Sequence, residues 1–175
     1  MKRAILYTFP VVVGVVIGYL ANLLMPIALA NGNTGISTQD RERILDLISH
    51  YSHAWDNKDS EAWVALYADE AISQTYAAGR LLGEALTNSE RLTHAQKRHA
   101  MFAENGIQTR HIQTNTLLSP HPDGSVTGKT VFLVSWQYDG DKVPKLMHTG
   151  LYRDKFVETS SGWKFMRREV RVDHQ

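Results

Sequence analysis

The chain changes its hydrophobic period once, near Ile107, and this change limits its architecture more than any other feature. Before that point apolar residues recur at helical spacing; after it they alternate. Ile107–Leu118, Val126–Tyr138, Val143–Val157 and Trp163–Val172 are long, β-branched and aromatic, as strands are. Between them lie Pro120-His121-Pro122-Asp123-Gly124, Asp139-Gly140-Asp141 and Ser160-Ser161-Gly162, all turn chemistry. Connections this short join antiparallel neighbours. Helices first and an antiparallel meander after them predict an α+β domain, with the helices covering one face of a curved sheet.

The first half carries helix punctuation. Ser37-Thr38-Gln39-Asp40 offers a hydroxyl N-cap and an acidic first turn. Ile44, Ile48, Tyr51 and Trp55 then mark one apolar face to about Asp56. Asp59 caps a short second helix through Trp63 and Tyr67, and an extended stretch at Ala71–Tyr76 leads to a turn at Gly79. Thr87-Asn88-Ser89-Glu90 is a capping-box pattern that opens a third helix, with Leu92, Ala95, His99 and Phe102 on one face and Gly106 as its stop.

Composition narrows the function. Nineteen Lys and Arg against 18 Asp and Glu is a formal charge of +1, which argues against a nucleic-acid partner. The chain has no cysteine, so disulfides, thiolate nucleophiles and cysteine-ligated metals are excluded. Met1-Lys2-Arg3 precedes an uncharged run from Ala4 to Ala30 that ends in Ala28-Leu29-Ala30, the layout of an export signal. The run exceeds the usual ~7–15 apolar residues of a signal, and ~20 can span a bilayer. Residues 1–30 therefore read either as a cleaved signal peptide or as a retained anchor attaching the protein to a membrane through residues 4–30. Both readings export the protein, to the periplasm or beyond. Without Lys2 and Arg3 the balance is 17 against 18. Residues 31–38 read as a polar Gly/Asn linker and residues 39–175 as the folded domain.

Motifs with a fixed mechanism are missing: there is no phosphate-binding Gly-rich loop, nucleophile elbow or His-Glu-x-x-His helix. His50 and His53 lie three apart on the first helix, yet no carboxylate at helical spacing completes a metal set, so they read as solvated and no metal is expected. His99 reads as a core or pocket-lining histidine. Lys97-Arg98 and Arg167-Arg168 are short charge pairs, most of which read as a solvated face, while the side to which Arg168 points on the last strand stays open.

Four motifs in order carry a family resemblance. Arg43 through Asp56 resembles the opening helix of SnoaL-like proteins of the nuclear transport factor 2-like superfamily, and Asp59 through Ala71 its second helix and first strand. Thr109-Arg110-His111-Ile112-Gln113-Thr114-Asn115 is similar to its Arg-His-x-x-x-Asn strand, and Gly150–Phe156 with Gly162–Phe165 and Arg168 to its final hairpin. The resemblance implies a cone: a curved antiparallel sheet wrapped around N-terminal helices, with an apolar pocket at one end. The superfamily holds dehydratases of the scytalone and bile-acid type, isomerases and cyclases, and also proteins that only bind, so the site must decide.

The dehydratase members imply roles for three residues here: Asp56 orients His111, which takes a proton from carbon, and Tyr51 stands five residues before Asp56. Imidazole titrates near neutrality and serves as a base; a carboxylate on its other nitrogen fixes the tautomer; a phenol steadies a developing enolate. The same residues also read as architecture, with Tyr51 in the core, Asp56 capping a loop and His111 lining a pocket. Strand alternation puts His111, Gln113 and Asn115 on one face, and on the next strands Trp136 with Phe132 and Val134, and His148 with Leu146, Gly150 and Tyr152. Asn115, Trp136, His148 and Tyr152 are thus candidate substrate-binding residues. The expected function is a cofactor-independent lyase or isomerase acting on a small hydrophobic or polycyclic molecule. The alternative is a non-catalytic binding or association module of the same fold. The resemblance further implies a homodimer or homotrimer.

Overall fold

The computed structural model describes residues 35–173. The expectations for residues 1–30 and for the start of the linker lie outside the described residues. Helix α1 spans Thr38–Asp56, α2 Ser60–Val64 and α3 Asn88–Glu104. Each begins where its side chains supply a cap. The Ser37 hydroxyl accepts from Asp40 N–H at 3.0 Å, and Asp59 Oδ1 from Ala62 N–H at 2.9 Å. At α3 the capping box closes in both directions, Thr87 Oγ1 accepting from Glu90 N–H and Glu90 Oε2 from Thr87 N–H, each at 3.1 Å. Between α1 and α2 the chain reverses through Lys58, whose φ of 61° lies in the left-handed region. No helix among the described residues is long and apolar enough to cross a membrane.

Six strands follow the order β2-β1-β6-β5-β4-β3, with β1 at Tyr67–Ala77, β2 at Arg80–Ala85, β3 at Ile107–Pro120, β4 at Val126–Tyr138, β5 at Lys145–Thr159 and β6 at Gly162–Val172. The meander β3 to β6 is antiparallel throughout, as its short turns require. One pair differs: β1 lies parallel to β6, because the long excursion through α3 and the meander returns the chain to β1 from the other side. The hairpin β1–β2 is longer than the extended stretch expected at Ala71–Tyr76. Asp69 and Glu70 interrupt β1, and β2 is solvent-exposed along nearly its whole length, so neither shows a clean alternation. The sheet stays open, with β2 and β3 as its edges.

The core lies between the helices and the covered face of the sheet. Ile44, Ile48, Tyr51 and Trp63 from α1 and α2 meet Phe132, Tyr152, Phe156 and Phe165 from the strands. Bulges re-aim side chains at three points that matter for the site. One extra residue in β3 between Thr114 and Leu117, one in β5 at Met147 and one in β6 at Met166 shift the phase of the strands that follow.

Gly150 allows two strands and a ring to close up. A Cβ there would overlap the carbonyl oxygen of Arg171 on β6 and come within 2.8 Å of the Phe132 ring. The carbonyl is part of the β5–β6 ladder and cannot retreat alone. Gly150→Ala should therefore cost about 1–3 kcal/mol in urea unfolding. An unchanged midpoint would show that the ladder has slack.

Candidate active site

The last turn of α1 carries Asp56 to the start of β3. A carboxylate at a helix C-terminus is opposed by the helix dipole and must be held by donors. Asp56 is 6 % exposed and takes three. Oδ1 accepts from the Thr109 hydroxyl at 2.8 Å and from His111 Nδ1 at 2.7 Å, and Oδ2 from the His111 backbone N–H at 2.8 Å. Gln108 Nε2 donates to the Asp56 backbone carbonyl at 2.9 Å. An ionised carboxylate only accepts, so Nδ1 carries the hydrogen and Nε2 of a neutral His111 keeps its lone pair.

His111 forms part of the wall of a cavity of about 550 Å³, the size of a small-molecule site. Tyr51, Trp136, His148 and Tyr152 line it too, while Asp56 stands behind His111. Tyr51 meets His111 edge-on at 6.5 Å and Tyr152 at 5.8 Å. Burial raises both phenols above their ordinary range, although the Arg168 cation pulls the other way, so both remain hydrogen-bond donors. Trp136 stands edge-on to His148 at 6.4 Å. Burial, then the charges of Arg98 and His111, lower the His148 pKa.

Asn115 does not join them. The β3 bulge places it in the left-handed region at φ 53°, and it is solvent-exposed outside the cavity. The β5 bulge likewise turns Leu146 outward, 61 % exposed, away from His148. His50 and His53 are exposed on α1. Among the described residues no group of three or more His, Asp or Glu side chains could hold a metal ion. His99 is buried, with Nδ1 2.7 Å from the Ser60 hydroxyl.

Two charged residues outside the expected set belong to the site: Arg98, read as solvated, and Arg168, whose side the sequence leaves open. Arg98 on α3 lines the cavity. Arg168 lines it as well and is fully buried. Its Nε and Nη2 bind Asp154 at 2.9 and 3.0 Å, and Nη2 also donates to Gln113 Oε1 at 3.0 Å. Its guanidinium carbon lies 3.9 Å from the centre of the Tyr51 ring and 4.0 Å from that of Tyr152. Burial alone would lower its pKa, but the Asp154 carboxylate and the neighbouring phenols more than offset this and keep it protonated. Simple alternation from Phe165 points Arg167 inward; the bulge at Met166 turns Arg168 in instead.

A family model described as a SnoaL-like domain matches residues 37–169. The chain belongs to the SnoaL-like domain family. Among solved structures, it is similar to ActVI-ORFA from Streptomyces coelicolor, with a TM-score of 0.70 and 24% identity over 79% of this chain and 100% of that one. An NTF2-like protein with a cystatin-like fold from Novosphingobium aromaticivorans gives 0.64 and 19% over 91% of this chain and 89% of that one. A Catenulispora acidiphila protein in complex with S-DNPA gives 0.65 and 16% over 78% of this chain and 95% of that one. At these identities the likeness is one of fold, the NTF2-like cystatin-like fold. No curated protein matches the sequence significantly.

Proposed function

We propose that the protein is a lyase or isomerase of the dehydratase type that needs no cofactor and works on a hydrophobic or polycyclic carbonyl compound. The observation that carries this reading is the closed His111–Asp56 pair, 2.7 Å apart, at the wall of an aromatic cavity. Nε2 of neutral His111 takes a proton from the carbon next to the carbonyl, and the C–H electron pair moves into the carbonyl to form an enolate. Asp56 stabilises the imidazolium this creates. Tyr51 and His148 are the donors for the enolate oxygen. In a dehydration the enolate collapses, the C–O bond to a β-hydroxyl breaks, and the proton on Nε2 leaves with that oxygen as water. In an isomerisation the same proton returns to a different carbon. On the strength of residues 1–30, the domain does this after export.

The S-DNPA complex of a protein with the same fold supports a small-molecule occupant. The test is a panel of hydroxylated steroid-like and polyketide-like ketones, assayed for loss of water or a moved double bond, with turnover repeated in D₂O. Deuterium at the carbon next to the carbonyl of recovered substrate, put there when the proton transfer reverses after His111 has exchanged with D₂O, and absent with His111→Ala, is the expected result. Tight binding of panel members with neither turnover nor exchange would establish the non-catalytic binder instead.

A further inference from the structure

The cavity carries a cation that the proposed proton transfer does not use. Arg98 lines it from the middle of α3, its guanidinium carbon 4.9 Å from the centre of the Phe102 ring. Among the described residues no hydrogen bond or carboxylate engages this guanidinium. The two glutamates nearby on the cavity wall are committed elsewhere. Glu90 closes the α3 capping box, and Glu84 accepts from Gln74 Nε2 at 2.5 Å. Two imidazoles share the cavity with Arg98: His94, one turn before it and stacked on Trp55 at 6.2 Å, and His148 beside Trp136. Burial and then the Arg98 charge lower the pKa of both rings. Arg98 thus sets the charge felt by both rings, and among the described residues no carboxylate forms a salt bridge with it.

We propose that the substrate is a ring compound bearing a carboxylate, and that Arg98, with His94 beside it, binds that carboxylate. The proposal rests on the reading of the cavity as a small-molecule site and adds the substrate's charge. Trp55 connects the two ends of the arrangement, its ring 6.2 Å from both His94 and His111. A flat ring system held by its carboxylate at Arg98 can lie along Trp55 and Phe102 and bring a ring carbon to His111. A fixed carboxylate would settle which carbon faces the base, a choice that an aromatic wall alone leaves open. Arg suits the task because its planar fork matches a carboxylate and stays charged at any physiological pH.

The test is binding, so that it stands apart from turnover. Titrating the full domain with 2-naphthoic acid and with the uncharged 2-naphthamide, by calorimetry, should show the acid bound about tenfold more tightly. Arg98→Gln should bring the acid down to the affinity of the amide and leave the amide unchanged; Arg98→Lys should recover part of the difference. The preference should shrink as salt is raised, as a half-exposed ion pair requires. His111→Ala should keep the preference, so a failed catalytic reading and a failed carboxylate site give different results. Equal affinity for acid and amide, an equal loss of both with Arg98→Gln, or binding of neither overturns the proposal.

Discussion

Replacing His111 by alanine should lower turnover by about 10²–10⁴, and Asp56→Asn should do so almost as severely. The second loss follows from the hydrogen-bond pattern and not from charge alone. Asp56 uses Oδ2 for the His111 backbone N–H and Oδ1 for both Thr109 and His111 Nδ1. An asparagine has one acceptor and one donor end. The backbone N–H cannot turn away, so the amide oxygen must face it, and the amide nitrogen then faces Nδ1. Nδ1 becomes an acceptor, the ring hydrogen moves to Nε2, and the lone pair that would take the proton is gone. Because the two residues act as one unit, the double variant should be little slower than the slower single one. Binding of an unreactive ligand should survive in Asp56→Asn, since Asp56 does not reach the cavity. Turnover unchanged in both single variants would falsify the dyad and return Tyr51, Asp56 and His111 to architecture.

The family resemblance implies that pairing, and each member also sits where local rules apply. Asp56 is conspicuous as a carboxylate at the wrong end of a helix, and His111 lies early in β3, ahead of any bulge. Tyr51, Trp136, His148 and Tyr152 follow the helical and alternating periods, and all line the cavity. What escaped depends on long-range geometry. Asn115 lies at the β3 bulge and Arg168 just past the one in β6, where one inserted residue reverses which side faces inward. Arg98 follows Lys97 on an otherwise polar stretch of α3, and only the packing of that helix over the sheet shows that one of the two enters the cavity. The hairpin β1–β2 escaped for a different reason: an edge strand exposed on both faces has no pattern to read.

The buried pair Arg168–Asp154 should be the most sensitive point of the fold. Both side chains are fully inaccessible to solvent, and the pair satisfies Nε and Nη2 while Nη1 has no hydrogen-bond partner among the described residues. Asp154→Ala leaves a guanidinium without its counter-ion among Tyr51, Tyr152 and Phe165, and should cost about 3–5 kcal/mol. Arginine does not give up its proton at accessible pH and the variant has no carboxyl here to titrate, so its loss relative to the wild type follows the Asp154 titration alone and should shrink as pH rises through the folded value. Arg168→Met behaves differently. Burial already raises the Asp154 carboxyl above 3.8 against the pull of Arg168, and without that pull it rises further. The folded variant then binds a proton more strongly than the unfolded chain. Its loss should be smallest below pH 3.8 and should grow as pH rises through the folded value. Urea unfolding of the two variants at a series of pH values separates these behaviours, and matching pH profiles would show that the pair is not an isolated ionic unit. Replacing both residues, Asp154→Leu with Arg168→Met, should restore most of the stability, since a buried ion pair is often no stronger than an apolar pair of the same volume. Turnover should not return with it. Arg168 also faces the Tyr51 ring and, through Gln113, reaches Ile48 and Ser52 on α1, the helix that presents Tyr51 and Asp56. A stable but slow double variant would show that the ion pair is kept for the shape of the site.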